Sequence, residues 1–221
     1  MNKKLFYDTI RKDLFSNKLS ASQVQGIEAI LVEYETKYSM EILPSGVKNK
    51  NYVTPAMLAY ILATPHHECD GKFQPIEEYG KGAKKDYGKL FIDKNKKQYG
   101  KTMGQGRGKR GVYYAPLPLQ VYYGRGFVQL TWYENYEKAA KKLSIDCLKR
   151  PELVMELSNA ANILFMGMIE GWFTSQKLSH HFTATKTDWF NARRIINGTD
   201  KAELIAEYAR KYHKALLAAM K

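Results

Sequence analysis

Thr54-Pro55, followed by the run Ala56 to Ala63, constrains this chain more than any other segment. Threonine is a favoured N-cap, and proline suits the first helical position, where its missing amide hydrogen costs nothing. The residues that follow, Ala-Met-Leu-Ala-Tyr-Ile-Leu-Ala, are apolar on every side. That pattern predicts a helix buried on all faces rather than an amphipathic surface helix. Pro65 removes a backbone donor near its end, so the helix is expected to bend or stop just before Glu68. An acid at the end of a buried helix is an acid held rigidly.

The rest of the chain reads as mostly helical. Ser20 to Gln23 forms a capping-box pattern, and Val24, Ile27, Leu31, Tyr34 and Tyr38 then recur at helical spacing. Pro151 is expected to open one long helix carrying Leu153, Leu157, Ala161, Leu164, Met168 and Trp172 on one face. Asp200 with Glu203 forms a second capping-box pattern before Ile205, Tyr208, Tyr212, Leu216 and Ala219. From about 80 to 112 glycine and lysine dominate without a period, which predicts a long loop or arm. Val121 to Leu130 has the composition of a short strand or hairpin. With no internal repeat and no separating linker, residues 1–221 read as one domain, large enough for two lobes.

The charge is large and concentrated. The chain carries a formal +13, and Lys81 to Arg110 holds eleven Lys or Arg against Asp86 and Asp93. Such a patch attracts anionic polymers: a nucleic acid, a membrane surface or an acidic cell-wall polymer. The alternative is a solvated loop that aids solubility alone. No apolar stretch is long enough to span a bilayer, and the opening Met1 to Asp8 lacks the apolar core of a secretory signal. A cytoplasmic site of synthesis is therefore expected. Cys69 and Cys147 are too few for a disulfide framework and are expected to be reduced.

Two clusters carry candidate chemistry. Tyr122-Tyr123-Gly124-Arg125-Gly126-Phe127-Val128-Gln129-Leu130-Thr131-Trp132 mixes aromatics, glycines and directional polar groups. Glycines admit a ligand close to the backbone, tyrosines offer flat faces with polar tips, and Gln and Thr supply hydrogen bonds. Upstream, His66-His67-Glu68 is followed by the pair Glu77-Glu78. Two carboxylates and a polar aromatic groove are the minimum for hydrolysing a glycosidic bond. His66-His67-Glu68-Cys69 lacks metal-ligand spacing, so no metal and no cofactor is expected. His67 is expected to pack behind Glu68 or orient it, and Cys69 to be a buried structural thiol. For Arg125, pairing with a structural acid and contact with a sugar are equally open.

On these residues the chain resembles glycoside hydrolase family 19, and within it the phage endolysin branch more than the plant chitinases. Three blocks carry the resemblance: His67-Glu68 with Gln74-Pro75-Ile76-Glu77-Glu78-Tyr79-Gly80-Lys81-Gly82; Tyr123 to Trp132 with Asn135-Tyr136; and Asn191 to Gly198. The resemblance implies a mainly α, lysozyme-like α+β fold, two-lobed, with a small β-hairpin and a central cleft. It also implies inverting cleavage of β-1,4 links between N-acetylated amino sugars. Glu68 matches the general acid, Glu78 the general base with Glu77 as its rival, and Thr131 the hydroxyl that holds the attacking water. Gln129, Asn135 and Asn197 match sugar-contacting positions, and Tyr123, Arg125, His67 and Glu77 are expected to line the substrate. Cys69, Phe127-Val128 and Thr199 depart from the family pattern.

An inverting enzyme pairs a protonated carboxyl with an ionised one, and their expected separation is about 6.5–9.5 Å. Burial at the helix end would favour the proton on Glu68, and a polar setting would keep Glu78 ionised. The leading expectation is a monomeric peptidoglycan hydrolase of endolysin type, reaching the wall by holin-type release. Its basic 81–110 region would face the anionic wall. The alternatives are a chitinase, and a non-catalytic binder of glycans or nucleic acid; no nucleic-acid motif accompanies the charge.

Overall fold

The computed structural model describes residues 1–82 and 122–221, together with the backbone of 90–92 and 98–100. The described chain divides into two units, one formed by Met1–Gln74 with Leu164–Lys221, the other by Pro75–Ile163.

The first unit is helical and is built around the segment that the sequence marks as buried. Helix α3 spans Pro55–Glu68, with the Thr54 hydroxyl accepting from the Met57 amide. Leu58 to Ala63 are at most 1% exposed. Burying Leu58, Ile61 and Leu62 stabilises by roughly 1.5–3 kcal/mol each. α3 packs against α7 (Ala202–Ala219), and α7 also packs against α1 (Lys3–Leu14). Helix α2 (Ala21–Lys37) begins with the expected reciprocal cap between Ser20 and Gln23. It passes so close to the chain at Phe73 that a Cβ on Gly26 would lie 1.6 Å from the Phe73 carbonyl oxygen.

One expectation is refined and two change. α3 runs through Pro65 and ends on Glu68 itself, with the Cys69 amide donating to the Pro65 carbonyl at 3.0 Å. Thr64, Pro65 and His66 are all buried, and their packing outweighs the hydrogen bond that proline forgoes. The long helix after Pro151 is broken. A 3-10 turn, Pro151–Met155, ends at extended Glu156, and α5 begins afresh over Leu157–Glu170. Asn159 stitches the break, donating to the Leu153 carbonyl and the Glu156 carboxylate. Trp172 lies beyond α5, after Gly171 at φ +76°, and is buried there. The cap expected from Asp200 and Glu203 does not form: Lys201 occupies the N-cap position without a side-chain bond, and Glu203 pairs with Arg210.

The second unit holds the small sheet. Strand β1 (Ile76–Glu77) pairs antiparallel with β4 (Arg125–Gly126), in the register Ile76 to Gly126 and Glu77 to Arg125. Arg125 and Leu130 close a tight hairpin with reciprocal amide bonds of 3.2 and 2.8 Å. This is the hairpin expected from the glycine-rich run. Helix α4 (Tyr133–Leu143) follows directly. The expected basic loop lies outside the described residues, apart from 80–82 and two short strands, β2 (Leu90–Ile92) and β3 (Gln98–Gly100), which pair antiparallel.

Candidate active site

Glu68 is the last residue of α3, and its side chain is 18% exposed. The Arg193 guanidinium donates to Glu68 Oε1 at 2.5 Å and is itself only 4% exposed. The same guanidinium reaches Asp200, with Nε donating to the backbone carbonyl at 3.2 Å and Nη2 to the carboxylate at 3.3 Å. Arg193 is thus a buried cation held between two acids. Burial works against its charge, and Glu68 with Asp200 overcomes that cost, so its pKa is raised.

Local structure explains how Arg193 gets there. It rides on a 3-10 turn, Asn191–Ile195, pinned by Asp188, which accepts from the Asn191 amide and side chain. The Thr174 hydroxyl donates to the Arg194 carbonyl at the other side of the turn. Asp200 therefore serves Arg193 instead of capping α7. The sequence places Arg193 in a motif block without a role of its own and reads Asp200 as a helix cap; an acid seven positions after a buried arginine gives no periodic signal.

The neighbours of Glu68 are also defined. Of the two histidines before Glu68, His66 is the buried one: Nδ1 lies 2.8 Å from the Tyr212 hydroxyl and its ring stacks on Tyr208. Burial, with the nearby charges of His67 and Lys211, pushes its pKa down to about 4. The Glu68 carboxylate is held by Arg193, not by the hydrogen bond from His67 that was one of the expectations. Cys69 is fully buried, with its thiol pushed up to about 12 by burial, as expected of a structural thiol. Tyr60 lies in the field of Arg193, Glu68 and Asp188. Its buried hydroxyl has no hydrogen-bond partner among the described residues. Asn197 is exposed on the same unit.

In the second unit the hairpin brings its side chains against Glu77 of β1. The Tyr123 hydroxyl donates to Glu77 Oε1 at 2.5 Å, Lys81 Nζ approaches Oε2 at 3.1 Å, and Arg125 Nε lies 3.6 Å from Oε1. Tyr123 first, then Lys81 and Arg125, hold the Glu77 carboxyl below the usual carboxylate range. Arg125 is buried, stacked 3.4 Å over the Tyr123 ring centroid and bonded to the Tyr136 hydroxyl. Of the two roles left open for Arg125, the structure displays pairing with an acid.

Gly124 organises the neighbouring groups. Its amide donates to Glu78 Oε2 at 3.2 Å, and the Glu78 amide donates to its carbonyl at 2.7 Å. A Cβ there would lie 2.7 Å from Gln129 Oε1 and 3.3 Å from Thr131 Oγ1, so only glycine lets these groups close in. Gln129 adopts φ +52° and donates to the Ile76 carbonyl, while Thr131 donates to the Gln129 carbonyl. Asn135 donates to the Thr131 carbonyl from α4. Among the described residues, no group of three His, Cys, Asp or Glu is arranged to hold a metal.

Residues 59–193, more than half of the chain, match the class I chitinase model of glycoside hydrolase family 19. The chain belongs to that family. A basic endochitinase of Brassica napus is 33% identical to this family 19 chain over 152 residues, covering 68% of the chain and 45% of the plant protein. The chain thus spans less than half the length of that curated relative. Chitinase C of Streptomyces griseus shares the fold, with a TM-score of 0.58 and 20% identity over 96% of this chain and 90% of that one. A bacterial family 19 chitinase follows at 0.53 and 19%, over 96% and 93%. The expected mainly helical, lysozyme-like fold with a small two-stranded sheet is the fold these structures share with this chain.

Proposed function

We propose that this family 19 chain is an inverting glycoside hydrolase that cuts β-1,4 links between N-acetylated amino sugars, with chitin-type chains as substrate. The observation that carries the reading is family membership together with a carboxyl, Glu68, fixed by a buried arginine at the end of α3. Glu68 donates its proton to the leaving oxygen while an ionised carboxylate takes a proton from the attacking water, so the anomeric configuration inverts in one step.

Glu77 is the better supported base. The Tyr123 hydroxyl, the Lys81 ammonium and the nearby Arg125 charge favour its ionised form, and its side chain is 36% exposed, open to water. Glu78, the base expected from the sequence anchors, has its own support: its carboxylate binds the Gly124 amide, beside the Thr131 hydroxyl. Glu77→Gln and Glu78→Gln separate them. The base variant loses about 10²–10⁴-fold in kcat, and the other keeps most of its activity. Equal, small losses in both would overturn the two-carboxylate mechanism.

A second reading, peptidoglycan as substrate, is favoured by one observation: chitin is uncharged and gives the formal +13 no purpose. The deciding experiment compares hydrolysis of colloidal chitin with lysis of permeabilised Gram-negative cells, using the native chain beside Glu68→Gln. Loss of both activities in the variant, with inverted products from the native enzyme by NMR, is the expected result. Activity that survives Glu68→Gln places the chemistry elsewhere.

A further inference from the structure

Met57 in the first turn of α3, roughly 16 Å of helix away from Glu68, borders a cavity of about 520 Å³ within the first unit. Small-ligand sites commonly have volumes in this range. Its wall comes from Lys50, Asn51 and Tyr52 before α3, and from Lys177 and Ser179 where α6 (Leu178–His181) begins. Met57 and Leu178 add apolar surface. The site chemistry described above does not use this cavity.

Its charge is distinctive. Lys50 and Lys177 are both exposed, and neither ammonium forms an ion pair among the described residues. The acid in the wall, Glu170, already accepts from the Trp172 indole N–H at 2.9 Å. Two cations therefore face a concavity that also offers an aromatic ring, an amide, a hydroxyl and an apolar floor. A sugar ring matches the floor and the Tyr52 face with its C–H side, and Asn51 and Ser179 with its hydroxyls or acetamido group. A neutral sugar would leave the net positive charge of this wall, two ammoniums against the one Glu170 carboxylate, unmatched.

We propose that this cavity is a second, non-catalytic saccharide site, and that it takes an amino sugar bearing a carboxylate. The two lysines meet the carboxylate, and the remaining wall reads the ring. This assignment does not require that Glu68 hydrolyse any bond, so it stands or falls separately from the proposed activity.

The test is an NMR titration of the full-length Glu68→Gln variant, which leaves a glycan probe intact. The probes are the β-1,4 disaccharide of N-acetylglucosamine and N-acetylmuramic acid, the neutral disaccharide of N-acetylglucosamine, and inorganic phosphate. The expected result is perturbation of the resonances of residues 50–52 and 177–179 by the acidic disaccharide, with affinity roughly tenfold above the neutral one. Adding Lys50→Ala and Lys177→Ala should remove that preference. In the otherwise native chain the same pair should leave hydrolysis of soluble N-acetylglucosamine oligomers unchanged. Equal affinity for the two disaccharides, no perturbation of these residues, or phosphate binding as tightly as the acidic sugar would each overturn the proposal.

Discussion

Arg193 shows how one residue can redirect its surroundings. It takes Asp200 away from α7 and holds Glu68 through a buried guanidinium, so Arg193→Ala leaves two acids without their cation. The acids left behind are partly reached by water, so the loss expected in chemical denaturation is that of charge-assisted hydrogen bonds, about 1.5–3 kcal/mol, together with loss of hydrolysis. Asp200→Asn, which keeps an oxygen acceptor at an exposed position, should cost far less. Tyr60 makes the opposite case. Its buried hydroxyl has no hydrogen-bond partner among the described residues, so Tyr60→Phe removes a desolvated polar group. The variant should match or exceed the native chain in stability by up to about 1 kcal/mol, with melting as the readout. A loss above that would mean that the hydroxyl is satisfied in solution.

At the scale of elements, the packing of α3 against α7 carries a pH dependence. His66 is buried between Tyr208 and Tyr212, and its pKa is pushed down to about 4 from an ordinary 6.5. Below pH 6.5 the unfolded chain takes up a proton that the folded chain refuses until about pH 4. The stability due to neutral His66 is therefore complete above 6.5 and is lost as pH falls through that window, by up to about 3 kcal/mol. Denaturation at pH 7 and pH 4.5 should show the drop, and His66→Gln should flatten it relative to the native chain. The contact between α2 and the Phe73 segment is the other tight junction. A methyl group at Gly26 would run into backbone, so Gly26→Ala should destabilise by more than about 1 kcal/mol, the opposite of the usual gain from such a change in a helix.

For the whole molecule, the peptidoglycan reading carries its own prediction, since a formal +13 would make attachment to an anionic wall salt-sensitive. On that reading, binding to peptidoglycan weakens between about 50 and 500 mM salt, while hydrolysis of soluble neutral oligomers changes little. Salt-independent binding would remove the charge from the account. What could be read from the residues alone was whatever local chemistry dictates. The Thr54-Pro55 start, the Ser20 to Gln23 cap, the all-apolar face of α3 and the hairpin before Leu130 follow from short-range rules of capping, periodicity and turn formation. The candidate acids were legible for the same reason, since their types and order lie in contiguous motifs. Arg193 beneath Glu68, Asp200 diverted from its cap, the break at Glu156 and the Tyr123 grip on Glu77 were not. Each joins residues that meet only when the chain folds back on itself, where burial and charge compensation between distant segments override the preference of any one segment.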